Sequence, residues 1–88
     1  YVANPESAGI MDTLGWASYK NGDFKSAAEF ISRAYARMPE SPVITYHLGM
    51  ILYKEGKVAE AREKFKKATA AKENFYGKEE AGRLAKGI

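Results

Sequence analysis

The sequence predicts an all-α chain made of repeated helical hairpins. Three observations predict it. The chain matches itself after a shift of 34 residues, apolar residues recur at helical intervals, and nothing alternates with period two over a useful length. Helices that cannot bury an apolar stripe alone do so by stacking on the next copy, so such a pattern implies a stack of hairpins.

Under the shift, Leu14-Gly15 falls on Leu48-Gly49 and Tyr19-Lys20 on Tyr53-Lys54. Gly22 meets Gly56, Ala27 meets Ala61, Ala34 meets Ala68 and Pro5 meets Pro39, with no gap. Gly22 and Gly56 fall where a helix must stop and the chain reverse, a place that favours the left-handed conformation. Gly15 with Ala27, and Gly49 with Ala61, are small residues that let facing helices approach closely. Pro39 blocks further helix at the end of a unit.

Five helices are expected. The first runs from Ala8 to Asn21 with Ser7 as N-cap, and the second from Phe24 to Arg37 capped by Asp23. The third runs from Pro42 to Glu55, with Ser41 as cap and proline at the first helical position. The fourth covers Val58 to Ala71. The fifth covers Tyr76 to Lys86, weakened by Gly77, Gly82 and Gly87. The expected core stripes are Ile10, Leu14 and Ala17, then Phe24, Ala27, Ala28, Ile31 and Ala34. Their counterparts are Leu48, Leu52, Val58, Ala61, Phe65 and Ala68.

These residues resemble the tetratricopeptide repeat, whose 34-residue pattern holds a Leu-Gly pair, then Gly, Ala, an aromatic, Ala and Pro. Leu14, Gly15, Gly22, Ala27, Ala34 and Pro39 match in one unit, and Leu48, Gly49, Gly56, Ala61, Phe65 and Ala68 in the next. Met11 and Thr45 replace the family's frequent Trp, Ser18 and Leu52 its Tyr, and Ile31 its second-helix aromatic. Glu73 takes the closing proline place, so the fourth helix is expected to bend gently into the fifth. The resemblance implies a right-handed superhelix of hairpins. The units would be 8–41 and 42–75, preceded by the tail of another unit at 1–7 with Pro5 in the closing place. A solvating helix at 76–88 would close the array. Glu79, Glu80, Arg83 and Lys86 would form its wet face, while Ala81, Leu84, Ala85 and Ile88 cover the last unit. The run Asp12-Thr13-Leu14-Gly15-Trp16 is similar to a variant common in bacterial proteins with many such repeats.

In that family the first helix of each pair lines a concave groove that binds a protein or peptide. Carried over, the groove residues are Asp12, Trp16, Tyr19 and Lys20, followed by Tyr46, His47, Met50, Tyr53 and Lys54. Trp16, Tyr19 and Tyr53 read either as ligand anchors or as packing between repeats. Lys20 and Lys54 read as rim cations or as solvated residues. The Lys/Asn/Arg set with which some members clamp a partner's carboxylates is not present. The alternative role is a structural segment of a longer solenoid, pairing as a homodimer through repeat ends or groove. The chain opens on Tyr1 rather than Met, so it is expected to be a piece of a longer protein.

Other function classes find little support. Eighty-eight residues make one domain, and the absence of cysteine removes disulfides and thiolate metal sites. His47 is the sole histidine, with no ligand spacing and no activated nucleophile beside it, so no catalysis, metal or cofactor is expected. No apolar run approaches the roughly 20 residues of a membrane span. A soluble protein of cytoplasm or periplasm is expected. The net charge is +3, with the basic excess from Lys54 onward, which would suit an acidic partner. Arg62, Lys64, Lys66, Lys67 and Lys72 are interrupted by Glu60 and Glu63, which argues for a solvated helix over specific nucleic-acid binding.

Overall fold

The computed structural model describes residues 7–87. Five helices follow in order: α1 (Ala8–Lys20), α2 (Phe24–Arg37), α3 (Pro42–Lys54), α4 (Val58–Ala70) and α5 (Lys78–Gly87). There are no strands among the described residues. Pro5 and Ile88, to which the sequence gives a repeat-closing and a covering place, lie outside them.

Local chemistry sets the helix starts. The side chains of Ser7, Asp23 and Ser41 accept from the backbone N–H of Ile10, Ser26 and Ile44 at 3.2, 3.2 and 3.4 Å. Each satisfies an N–H that the first turn would leave without a partner. Pro42 supplies no donor at its position, which suits it to the first turn of α3. Helix α4 follows Lys57, which as N-cap supplies no side-chain hydrogen bond.

The two hairpin turns are copies of each other. Gly22 and Gly56 have φ of 83° and 82°. The next residue's N–H returns to the helix at the same place and length: Asp23 to the Ser18 carbonyl and Lys57 to the Leu52 carbonyl, both 2.9 Å. Only glycine enters this left-handed conformation without steric cost.

Packing runs α1 on α2, α2 on α3, α3 on α4 and α4 on α5. Ala27, Ile31 and Ala34 of α2, and Ala61, Phe65 and Ala68 of α4, are fully buried. Close approach is imposed by missing side chains. A Cβ on Gly15 would stand 2.7 Å from Ile31, and one on Gly49 would stand 2.7 Å from Phe65. Met11 and Thr45, at equivalent places, are both buried, and the Thr45 hydroxyl donates to the Ser41 carbonyl at 2.7 Å.

The structure corrects several sequence expectations. Leu14 is 46% exposed, whereas its counterpart Leu48 is buried against α2. The letter is the same, but α1 has no described helix on that side, and α3 has one. Ala17, Phe24 and Val58 are exposed as well. Helix α4 does not bend into α5. It ends at Ala70, Ala71 is extended, and residues 71–77 form an irregular turn. The Lys78 ammonium ties that turn by donating to the carbonyls of Ala71 (2.8 Å) and Glu73 (2.9 Å). Gly77, with φ of 97°, lies so close to the Tyr46 ring that a Cβ would stand 2.6 Å away. Helix α5 then lays Ala81 and Ala85 into the core and leaves Glu79, Arg83 and Lys86 in water.

No helix among the described residues is long and apolar enough to cross a membrane.

Candidate interaction surface

Helices α1 and α3 run side by side as the first helices of their hairpins, and their aromatic residues form one stack. Trp16 sits at its centre. Tyr19, three residues along α1, lies parallel to it with centroids 4.7 Å apart, and His47 of α3 stacks on it at 4.0 Å. Tyr46 leans on Trp16 at 6.0 Å, and Phe24 meets the edge of Tyr19 at 5.4 Å. Offset stacking and edge contacts of this kind contribute about 0.5–1.5 kcal/mol per pair beyond buried area.

A buried polar bond fixes the stack. The Asp12 carboxylate lies 2.6 Å from Nδ1 of His47, joining α1 to α3. Both side chains are almost wholly shielded from water. Among the described residues no buried side-chain nitrogen or oxygen lacks a hydrogen bond.

The nine residues placed on the groove by the sequence therefore divide. Asp12, Tyr46 and His47 are buried and meet one another's neighbourhood rather than solvent. Trp16, Tyr19 and Met50 are half-buried, packed against the core with one side reaching the surface. Tyr53, Lys20 and Lys54 are exposed. The Lys54 ammonium stands 5.4 Å from the Phe24 ring centre, within cation–π range.

Sequence reasoning missed three participants. Phe24 was expected in the core, yet it is 41% exposed and continues the aromatic stack. Phe75 packs on Tyr46 at 5.7 Å. Glu80 was expected on a wet face, yet its Oε1 accepts from the Tyr46 hydroxyl at 3.2 Å. The signal for Glu80 was the repeat itself, because Tyr46 lies 34 residues after Asp12 and Glu80 lies 34 after Tyr46. The three residues occupy the same place on α1, α3 and α5.

Burial, and secondarily the Glu80 carboxylate, push the Tyr46 phenol up to about 12. The same two causes, in the same order, raise Tyr19. Tyr35, on α2, goes the opposite way. Its hydroxyl accepts from the Lys67 ammonium at 2.8 Å, and both Lys64 and Lys67 lie about 5 Å from its ring, which lowers its phenol. Two members of the basic cluster are thus engaged with an aromatic ring. Among the described residues no group of three His, Cys, Asp or Glu could hold a metal ion.

Comparison with known proteins bears on this surface. The family profile described as tetratricopeptide repeat matches residues 4–74. A TPR repeat-containing protein of Pseudomonas aeruginosa is 35% identical over 46 residues, which are 52% of this chain and 8% of that protein. The chain is far shorter than that relative.

Proposed function

The chain belongs to the tetratricopeptide repeat family, and from that premise we propose that it is an interaction module receiving a peptide or helix of a partner protein on the face shared by α1 and α3. Repeats of this family generally mediate protein–protein contact rather than chemistry. The observation that supports this reading is the Tyr19–Trp16–His47 stack, bordered by exposed Tyr53 and Phe24 and by the ammonium groups of Lys20 and Lys54. Rigid aromatic faces bury partner area at small entropic cost, and exposed cations at a rim add steering. Pull-down from the source organism tests the idea with Tyr53→Ala and Lys54→Ala, both surface changes. Loss of the captured protein with folding intact supports it; equal recovery removes this face from the account.

A second reading is favoured by one observation. Ile10, Thr13 and Leu14 line an apolar hollow on α1, at places whose counterparts Ile44 and Leu48 are buried by the preceding hairpin. On this reading the chain is a segment of a longer stack, and the isolated chain covers the hollow by self-association. Light scattering across concentrations checks it, and a strict monomer at high concentration excludes it.

A further inference from the structure

An open cleft of about 1010 Å³ lies where the α4–α5 turn and the start of α5 meet Tyr46 of α3, lined among others by Phe75, Tyr76, Glu79 and Glu80. We propose that this cleft receives an arginine or lysine side chain of the partner peptide, held by the carboxylates of Glu80 and Glu79 against the aromatic rings. The inference rests on the α1–α3 face being the partner surface, since Tyr46 belongs to both.

The charges select the ligand. Three charged residues line the cleft: Lys78, Glu79 and Glu80. Lys78 keeps its positive charge, but its ammonium is held in the α4–α5 turn by the carbonyls of Ala71 and Glu73, so the lining charges sum to −1. The excess negative charge lies on Glu79 and Glu80. Glu80 is met by the Tyr46 hydroxyl on one oxygen and by Arg83 at 3.5 Å on the other. The Arg83 pair is solvent-exposed and spans one helical turn, so a partner cation can displace it at little cost. Among the described residues no cation lies within ion-pair distance of Glu79.

The negative field reaches across the inner helices, since the Glu80 carboxylate contributes to raising both Tyr46 on α3 and Tyr19 on α1. Tyr76 is 93% exposed and contributes its ring to the lining. Aromatic faces beside carboxylates suit a cation, by charge and by ring quadrupole together. A carboxylate ligand would instead meet a lining with an excess of negative charge. The chain's overall positive charge, which suits an acidic partner, is therefore opposed locally at this cleft.

The test uses the 88-residue chain and three blocked peptides of equal length and equal apolar content, carrying Arg, Gln or Glu at the same positions. Trp16 is the sole tryptophan and lies 6.0 Å from Tyr46, so its fluorescence reports binding. Amide chemical shifts of residues 75–82 report location. The Arg peptide should bind about tenfold tighter than the Gln peptide, and the Glu peptide weakest. Glu80→Gln should erase most of that advantage while keeping an acceptor for Tyr46, and exposed Glu79→Gln should erase part of it. Circular dichroism confirms folding, and Glu79→Gln decides if Glu80→Gln misfolds. An Arg peptide no better than the Glu peptide, an advantage that survives both substitutions, or no binding at all overturns the inference. Equal binding of all three peptides with sensitivity to Tyr53→Ala would sink this inference and leave the α1–α3 face standing. An Arg preference indifferent to Tyr53→Ala would keep the cleft's choice of a cation and remove Tyr53 from the partner surface.

Discussion

Gly49 lies so close to the Phe65 ring that a methyl group there would stand 2.7 Å from one ring carbon and 2.9 Å from another. Phe65 is fully buried and its counterpart Ile31 stands against Gly15 at the same distance, so α1–α2 and α3–α4 share one spacing device. Within each hairpin the two helices are held at a separation set by a glycine hydrogen.

Substitution at Gly49 follows from that contact. Alanine is worth about 1 kcal/mol more than glycine in a helix interior. Overpacking a filled core costs about 1–3 kcal/mol. The ring is fully buried, so Gly49→Ala should lower stability, by up to about 2 kcal/mol net. Gly82→Ala, whose Cβ would meet only Thr69 at 3.7 Å, should raise it by about 0.5–1 kcal/mol. Urea denaturation of both variants reads the opposite signs.

The Asp12–His47 bond should behave as one unit. Asp12→Ala leaves a buried ring nitrogen without its partner, at a cost of about 1–3 kcal/mol. In a double-mutant cycle with His47→Ala, the combined loss should fall short of the sum by about 0.5–3 kcal/mol. Additive losses would mean that the bond contributes nothing.

Tyrosine ionisation should order the phenols. In a titration followed at 295 nm, Tyr35 should ionise early and Tyr46 late. Tyr35→Phe should remove an early component and Tyr46→Phe the component near 12. The linked stability has a definite sign. Below the ordinary value of 10.0 both folded and unfolded chains hold the Tyr46 proton, and its contribution is whole. Between 10.0 and about 12 the unfolded chain releases a proton that the folded chain keeps, so stability falls as pH rises. Tyr46→Phe should fall less steeply over that window.

Trp16 and Tyr53 should separate on stability. Trp16 is held between two rings, and Trp16→Ala should cost about 2–3 kcal/mol. Tyr53 is 41% exposed, and Tyr53→Ala should stay within about 0.5 kcal/mol. Thermal melting distinguishes them. A large loss at Tyr53 would move it from the partner surface into the fold.

Much of the architecture was legible in the residues. The repeat of 34, the caps at Ser7, Asp23 and Ser41, and the reversals at Gly22 and Gly56 were all readable, because capping, turn chemistry and helical periodicity act within a few residues of the chain. The candidate surface was legible as a set of places, not as a set of exposures. Leu14 and Leu48 carry one letter and one register, yet one is half exposed and the other buried. Asp12, Tyr46 and His47 turned inward, while Phe24 turned outward. Burial depends on which helix lies across a side chain, and that neighbour sits tens of residues away along the chain. The sequence by itself determined where helices begin, where they reverse and how they repeat. The tertiary structure alone decided which aromatic rings stack, that Asp12 reaches His47 and that Tyr46 reaches Glu80, because those contacts exist only once distant helices share a face.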